Sequence, residues 1–268
     1  MRESRLQEVC SELTPAQPEL LQSAAMSLSL DSHTQQRPSW YFRVRPIKAI
    51  REMINIQRNP DDLLPTARFF FYVGGHDDGS TYTRILESET ATRILQEREP
   101  LPAALINIEQ LRSYEEGTLG RCHAEFLERE GLDPAKIDAD TRLAHATFEV
   151  SAEHEFIRVR TRSLHDLIHT LTGYGIDMLG EGGAVAFTFG NIRNRGYLML
   201  TLTNLLGMMV KGEFRAIAFM VKGYRRGRAA DFLWSADWPA LLAQPLAEVR
   251  EQLKIGTLAP YEPVDFDH

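Results

Sequence analysis

The sequence has little cysteine and no long apolar run. Cys10 and Cys122 are its only cysteines, and they lie too far apart in the chain to predict a disulfide framework or a thiolate metal site. No segment reaches the roughly 18 apolar residues that a membrane-spanning helix needs. The most apolar stretch, 197–210, is shorter and is interrupted by polar residues such as Asn204. These absences exclude a disulfide-stabilised scaffold and a membrane-spanning protein, and they favour a reducing compartment.

A net positive charge is also missing. The chain carries a net charge of -7, with 43% hydrophobic and 25% charged residues, which is the composition of a soluble globular protein. A dedicated nucleic-acid-binding protein is therefore excluded, and no nucleic acid is expected among the partners. No glycine-rich Rossmann fingerprint occurs, so we expect no bound flavin or nicotinamide.

Strands of alternating polarity are absent, and the chain shows helical periodicity instead. From Pro46 onward, apolar residues recur at helical spacing between breaks at Pro and Gly. The sequence predicts an all-α fold, a single-domain multi-helix bundle over residues 45–256. Residues 1–44 are predicted to be a flexible or partly helical lead, and 257–268 a C-terminal tail. Because the lead is richer in acidic than in basic side chains, unlike an organelle transit peptide, we expect a bacterial cytoplasmic protein.

The first predicted helix, 47–57, is basic and amphipathic, with Ile47, Ile50 and Ile54 on one face. The other predicted helices cover 64–73, 89–98, 101–112, 118–130, 164–172, 181–190, 196–210, 213–226 and 238–253. Residues 134–160 show no regular pattern, and no helix is predicted there.

Three further features have more than one interpretation. The apolar helix 196–210 either lines a channel for a prenyl tail or packs in the core. The channel residues would come from Leu198, Leu202, Leu205 and Met209. A basic cluster either contacts lipid phosphate or stabilises the carboxyl end of a helix. It consists of Lys222, Arg225, Arg226 and Arg228. The loop at 75–79, which contains a histidine and two aspartates, is interpreted as a solvated turn.

Two histidines of the predicted helix 164–172 form the candidate metal site. His165 and His169 are four residues apart, so their side chains lie about 40° apart on one face, beside a stripe of leucine and isoleucine. Glu181 follows beyond a glycine turn, and a returning helix can bring its carboxylate to the same point. Two His and one Glu are ligands of catalytic type, although such pairs also occur by chance on polar helical faces.

Asp166 lies about 80° to 100° round the helix from the histidines, so the spacing does not by itself place it at the same ion. Three roles stay open for it: metal ligand, partner that orients an imidazole, or helix cap. In the third role Ser163 is the predicted N-cap residue and Asp166 occupies the capping-box position. Gly173 is the predicted stop of this helix.

The run from Arg162 to Gly173, Arg-Ser-Leu-His-Asp-Leu-Ile-His-Thr-Leu-Thr-Gly, followed by Glu181, resembles a known signature. It is similar to the His-Asp-x-x-His-x(11)-Glu motif of the coenzyme Q (ubiquinone) biosynthesis protein 4 family, in its bacterial branch. The resemblance extends over residues 45–256. One departure is His123, where the family usually has a tyrosine, and any role taken from that tyrosine does not transfer.

The resemblance implies an all-helical protein of ubiquinone biosynthesis, attached peripherally to the inner face of the bacterial plasma membrane. It implies an oxidative decarboxylase that replaces the ring carboxyl of a polyprenylated hydroxybenzoate by hydroxyl. The implied metal ligands, which are also the implied catalytic residues, are His165, Asp166, His169 and Glu181. Zinc is the ion that this ligand type favours. Arg162 is the implied partner of the substrate carboxylate.

Because zinc has no redox chemistry, another metal, dioxygen or a partner protein must accept the electrons of this oxidation. The expected partners are a polyprenylated aromatic acid, the membrane surface, other quinone-biosynthesis proteins and a second copy of the chain. A rival hypothesis is a non-catalytic scaffold that binds prenyl lipid. A second rival is a zinc hydrolase, because His-Asp-x-x-His parallels the His-Glu-x-x-His of metalloproteases. Asp is one methylene shorter than Glu, which weakens that rival.

Overall fold

Helices make up the regular structure of residues 44–59, 62–74, 79–146 and 151–264, which are the residues described by the computed structural model. Within them the only strand-like pairing is an isolated antiparallel bridge between Thr118 and Pro245. The predicted all-α bundle is confirmed. The predicted lead lies almost wholly outside the described residues, as do Cys10 and positions 75–78 of the predicted loop. No helix in the described ranges is long and apolar enough to span a membrane.

The helices follow one another in chain order with short connections. They are α1 (Pro46–Arg58), α2 (Leu63–Gly74), α3 (Gly79–Leu86), α4 (Glu89–Glu97), α5 (Ile108–Arg112), α6 (Leu119–Arg129), α7 (Pro134–Ala146), α8 (Ala152–Ser163), α9 (His165–Thr172), α10 (Met178–Ile192), α11 (Arg195–Val210), α12 (Arg215–Ala229), α13 (Trp238–Leu242) and α14 (Leu246–Gln252). Two short 3-10 helices, Ala103–Ile106 and Leu233–Ser235, join the set.

The segment 134–160, for which no helix was predicted, contains α7 and α8 with a gap between them. The helix α7 begins at Pro134, which needs no N–H at the first helical position, and the Asp133 side chain accepts from the next two amides. Ser151 caps α8 by accepting from the amide of His154. The hydrophobic pattern is weak here because buried positions include charged residues such as Arg158 and Arg160.

Two predicted helices are each broken in two. Residues 101–112 divide into a 3-10 helix and α5, because the side chain of Asn107 caps α5 and starts a new helix. Residues 238–253 divide into α13 and α14 at Pro245, which lacks the N–H that a continuous helix would use.

The largest core surrounds α9 and is built by α6, α10, α13 and α14. The predicted apolar stripe of α9 is buried as expected, with Leu167 and Leu171 fully enclosed against Phe187 and Leu127. Burying a side chain of this size contributes about 1.5 to 3 kcal/mol relative to leaving it in water. The polar face of α9, which carries the histidines, is therefore held in one orientation.

The helices α10 and α12 approach so closely that only glycine fits at their contact. A Cβ atom at Gly227 would lie 2.0 Å from the carbonyl oxygen of Phe187, and one at Gly190 would lie 2.4 Å from that of Tyr224. These neighbours are backbone atoms that cannot rotate away. The close contact fixes the position of α10, the helix whose first turn contains Glu181.

The predicted isoleucine face of α1 is turned away from the core. Ala49 and Met53 pack against Phe69 of α2 in a small separate core. Ile47 and Ile50, on the other side of α1, are 84% and 62% exposed. The helix is therefore amphipathic as predicted, but its isoleucines present an apolar stripe to the outside.

Candidate metal centre

The histidines and the glutamate converge at the junction of α9 and α10. Gly173 ends α9 in the left-handed conformation, with φ 82°, as predicted. Asp177 then starts α10, because its side chain accepts from the amides of Leu179 and Gly180. Glu181 comes one turn later, so the short turn between the helices returns its carboxylate to the histidine face of α9.

The three donor atoms have the mutual spacing of a metal site. The Nε2 atoms of His165 and His169 are 3.2 Å apart, and they lie 3.5 Å and 3.4 Å from the two carboxylate oxygens of Glu181. Donors at roughly 2.0 to 2.1 Å from a tetrahedral ion lie about 3.3 Å from one another. The measured distances are close to this value, with each histidine nearest to a different oxygen of Glu181. Glu181 is partly exposed, so the site can be reached from outside.

The backbone selects the tautomer of His169 that a metal requires. Its Nδ1 atom lies 3.1 Å from the carbonyl oxygen of Tyr174. A carbonyl oxygen can only accept, so Nδ1 carries the hydrogen and Nε2 of the neutral ring presents its lone pair. The His169 ring is buried and stacks on Phe126 at 5.8 Å, which holds its plane.

The electrostatics of the three residues favour a bound cation. Burial favours protonated Glu181, but the two histidines outweigh this effect and lower the pKa of its carboxyl. Burial opposes a charged His169, yet Glu181 outweighs it and raises the pKa of the imidazole above 6.5. Each group thus favours the charged form of the other. A divalent ion held between them would supply the positive charge that the carboxylate attracts.

Asp166 lies beside this cluster and not within it. The metal-binding geometry brings together His165, His169 and Glu181. The Asp166 carboxylate instead lies 3.4 Å from the guanidinium of Arg162. Burial favours protonated Asp166, but Arg162 and the histidines outweigh it and keep its pKa below the ordinary value. This placement agrees with a residue that neighbours the ligands without coordinating.

The predicted N-cap at Ser163 is wrong. Ser163 is the last residue of α8, and its hydroxyl donates to the carbonyl of Val159. Leu164 occupies the N-cap position of α9 and supplies no side-chain hydrogen bond. The sequence pattern resembled a capping box, but α8 runs to the start of α9, so the Ser163 hydroxyl bonds to its own helix.

Two arginines that the sequence did not assign to the site hold the carboxyl end of α9. Arg250 of α14 donates to the carbonyl oxygens of Thr170 and Leu171. Arg226 of α12 donates to that of Thr172 and to two carbonyls after α14. Arg226 is thus buried and separate from the surface cluster in which it was placed. No local signal could reveal these contacts, because the partners lie far apart in the chain.

His123 also lies close to the site. Its Nδ1 atom is 2.8 Å from the hydroxyl of Thr170 on α9, and its ring stacks on Phe126, which stacks on His169. Burial lowers the pKa of His123 to about 4. The ring is therefore neutral at neutral pH and acts as a hydrogen-bonding, packed part of the wall behind His169.

Arg162, the partner of Asp166, lines an apolar cavity. The space in it that water-sized molecules can occupy is about 50 Å³. The lining comes from α2, α7, α8 and the start of α11, and includes Phe70, Ile157 and Tyr197 together with Arg162 itself. None of the four residues predicted to line a channel on α11 takes part. Leu202, for example, is 49% exposed on the outer side of that helix.

Residues 80–259 match the profile of the family described as Coenzyme Q (ubiquinone) biosynthesis protein Coq4. The predicted resemblance upstream of residue 80 lies outside this match. A mitochondrial ubiquinone biosynthesis protein coq4 of Botryotinia fuckeliana is 30% identical over 175 residues, which cover 64% of this chain and 59% of that protein. Its counterpart in Pyricularia oryzae is 35% identical over 177 residues, covering 64% of this chain and 55% of that protein. The chain therefore spans less than two thirds of these relatives.

The fold is similar to a crystal structure from Nostoc punctiforme, of a protein assigned to ubiquinone biosynthesis. The two structures superpose with a TM-score of 0.62 at 18% sequence identity, over 79% of this chain and 96% of the other. At this identity the similarity supports the all-helical fold alone.

Proposed function

Because the chain belongs to the Coenzyme Q (ubiquinone) biosynthesis protein Coq4 family, we propose that it acts in ubiquinone biosynthesis as a metal-dependent oxidative decarboxylase of a polyprenylated hydroxybenzoate. The observation that supports this most is the position of Arg162. This residue lines an apolar cavity and contacts Asp166, which lies next to His165 in the chain. A ligand with an anionic aromatic head and an apolar tail matches both environments.

In this proposal His165, His169 and Glu181 hold a divalent ion, for which zinc is the best match to the ligand types. When bound, the ion would stabilise negative charge on the carboxylate or on the adjacent ring oxygen. Asp166 orients the guanidinium of Arg162 through their contact. Arg162 has further N–H donors, and these would bind the substrate carboxylate.

The overall reaction is an oxidation. Exchange of the ring carboxyl for hydroxyl, with water as the oxygen source, releases carbon dioxide, two protons and two electrons. An acceptor for these electrons must therefore take part, and we assign it to dioxygen or to a redox partner among the other quinone-biosynthesis proteins. The protein residues bind and orient the ring against the neighbouring apolar walls.

The substrate is a membrane lipid, so the proposal includes peripheral attachment to the inner face of the plasma membrane. Helices α11 and α12, and Phe214 between them, expose large apolar side chains at helical spacing. These are Met199, Leu202, Leu206, Val210, Phe214, Ile217, Val221 and Tyr224, and we name this set the α11–α12 face. Lys222, Arg225 and Arg228 are exposed beside it. Apolar side chains flanked by cations suit a surface of anionic lipid.

A non-catalytic scaffold that binds prenyl lipid is the second candidate function. The same α11–α12 face favours it, because an apolar surface of this kind also suits contact with other proteins. In that case the metal would serve structure, and the cavity beside Arg162 would hold lipid without turnover. The homodimer stays a prediction.

Release of labelled carbon dioxide tests the choice between these functions. The purified, metal-loaded protein is incubated with a prenylated hydroxybenzoate labelled in its carboxyl carbon, in air and with a two-electron acceptor. We expect labelled carbon dioxide and a hydroxylated ring in equal amounts. Binding of the compound without release of label would favour the scaffold.

The same substitution at two arginines tests the role of Arg162 and provides its control. In Arg162→Lys the forked geometry that matches a carboxylate is lost, so we expect KM to rise about tenfold. Arg121 is an exposed arginine of α6 paired with Glu125, and Arg121→Lys should leave KM unchanged. Equal KM values in the two variants would remove Arg162 from the substrate site.

A further inference from the structure

The segment after α14 packs back onto the turn between the two helices of the metal site. The hydroxyl of Tyr261 donates to the Asp177 carboxylate at 2.7 Å and accepts from the amide of Gly175 at 2.9 Å. The amide of Val264 donates to the other carboxylate oxygen of Asp177, and its carbonyl accepts from the amide of Met178. Both Asp177 oxygens are thus bound by this segment, residues 257–264, which we call the C-terminal strap.

Asp177 connects the strap to the metal site. It is the N-cap residue of α10, and its carboxylate also accepts from the amides of Leu179 and Gly180. Its carbonyl accepts from the amide of Glu181 at 2.8 Å. The strap therefore holds the residue that sets the first turn of α10, and this turn carries the carboxylate ligand.

The surface beneath Tyr261 is shaped to receive its hydroxyl. A Cβ atom at Gly180 would lie 2.5 Å from that oxygen, and one at Gly175 would lie 3.1 Å away. Burial, then the hydrogen bond to Asp177, raises the pKa of Tyr261. The hydroxyl thus stays protonated and donates to Asp177 throughout the physiological pH range. The Tyr261 ring packs on Phe219 of α12 at 4.8 Å, which anchors the strap to the core.

Tyr261 and Val264 lie beyond the family match, which ends at residue 259. The strap begins within the matched residues, and the part of it that contacts Asp177 lies beyond them. We infer that Tyr261 is a positioning residue for the metal centre, fixing Asp177 and through it the carboxylate of Glu181 against His165 and His169. The inference rests on the metal site proposed above.

The physical reason is that metal affinity depends on preformed geometry. The donor atoms already lie at the spacing of a tetrahedral site, and loss of a residue that orients a ligand typically weakens metal binding by 10- to 100-fold. Without the Tyr261 hydroxyl, Asp177 loses one of its two contacts with the strap. The first turn of α10 then gains conformational freedom in the metal-free protein. Metal binding must order this turn again, which costs free energy.

The experiment uses the full chain and Co²⁺, whose visible absorption reports its coordination geometry, with affinity measured by competition against a chromophoric chelator. Tyr261→Phe removes one hydroxyl and keeps the ring on Phe219. We expect its Co²⁺ affinity to fall by about tenfold and its absorption spectrum to change. Tyr114→Phe removes the same atom from a tyrosine near α6, and should match wild type. Circular dichroism at the assay temperature establishes that each variant is folded.

A double-mutant cycle tests the route through Asp177. Asp177→Asn keeps an acceptor oxygen for the cap but no longer offers two acceptors to the strap. If Tyr261 acts through Asp177, the Tyr261→Phe, Asp177→Asn double variant should bind Co²⁺ no more weakly than the weaker single variant. Additive losses would overturn this route.

Wild-type affinity and spectrum in Tyr261→Phe would overturn the positioning role and leave the metal site standing. Failure of the wild-type chain to bind Co²⁺ or Zn²⁺ would remove both the metal site and the inference.

Discussion

The Nδ1 atom of His169 donates to the carbonyl oxygen of Tyr174, just beyond the glycine that ends α9. One local turn therefore performs two tasks: it returns the chain toward Glu181, and it fixes the protonation state of a buried imidazole. A metal site of two histidines and a carboxylate needs both, because each donor must present a lone pair at the same point.

The first prediction concerns metal content. The purified chain should contain about one divalent ion, since the donors are already placed for it. Removal of both imidazoles in a His165→Ala, His169→Ala double variant should abolish bound metal, as measured by elemental analysis. Asp166→Asn should retain the ion, because its carboxylate lies against Arg162 and outside the three-donor cluster.

The same substitution at two glutamates tests whether metal binding needs the negative charge of Glu181 in particular. Glu181→Gln should weaken metal binding by more than tenfold, because the amide lacks the negative charge of the ligand. Glu125→Gln changes an exposed glutamate of α6 in the same way and should keep full metal content. Full occupancy in the double histidine variant would show that the ion is bound elsewhere.

The second prediction concerns stability against pH. Burial lowers the pKa of His123 to about 4 from its ordinary 6.5. Between these values the unfolded chain binds a proton that the folded chain does not, so the free energy of unfolding should decrease as pH falls through this window. The full effect corresponds to about 3 kcal/mol.

His123→Tyr replaces the imidazole by another aromatic side chain and removes this titration. We expect the stability of the metal-free variant to decline less than that of wild type between pH 6.5 and 4. Urea denaturation across this range measures it. Titrating groups that do not interact with His123 are common to both proteins and cancel in the comparison. Parallel pH profiles would show that the pKa of His123 is the same in the folded and the unfolded chain.

Much of the site could be predicted from the sequence because its information is local. His165 and His169 lie on α9, and Glu181 lies in the first turn of the next helix, α10. The leucine stripe of α9 determines which face of that helix the histidines occupy. The stop at Gly173 follows from one residue type. These features depend only on helical periodicity and on a turn, and residues close together in the sequence determine both.

The contacts that the sequence did not predict join residues that lie far apart in the chain. Arg226 was placed in a basic cluster that either contacts lipid phosphate or stabilises the end of its own helix, yet it binds carbonyls of α9 and of the chain after α14. Tyr261 looked like part of an ordinary tail, and its partner Asp177 lies far back in the chain. The exposure of Ile47 likewise reflects how α1 packs on α2, which periodicity alone does not determine.

The last prediction concerns attachment to membranes. The α11–α12 face exposes large apolar side chains next to cations, and its outermost members, Leu206 and Val210, are 63% and 81% exposed. Insertion of such side chains into the interfacial region gains free energy in proportion to the apolar area buried, about 0.8 kcal/mol per methylene-sized group. The neighbouring cations add attraction to anionic headgroups that salt screens. The chain should therefore float with anionic vesicles at low salt, and less so as salt rises.

A double variant and a control variant distinguish binding through the α11–α12 face from nonspecific apolar adsorption to vesicles. The Leu206→Gln, Val210→Gln double variant should have a vesicle partition constant about tenfold lower than wild type, since two partly inserted side chains become polar. Leu143→Gln on α7 removes a leucine that is 71% exposed but lies outside the face, and it should partition like wild type. An equal loss in both variants would assign binding to nonspecific apolar contact. Undiminished flotation of the double variant would exclude the α11–α12 face and leave the isoleucine stripe of α1 as the surface to mutate next.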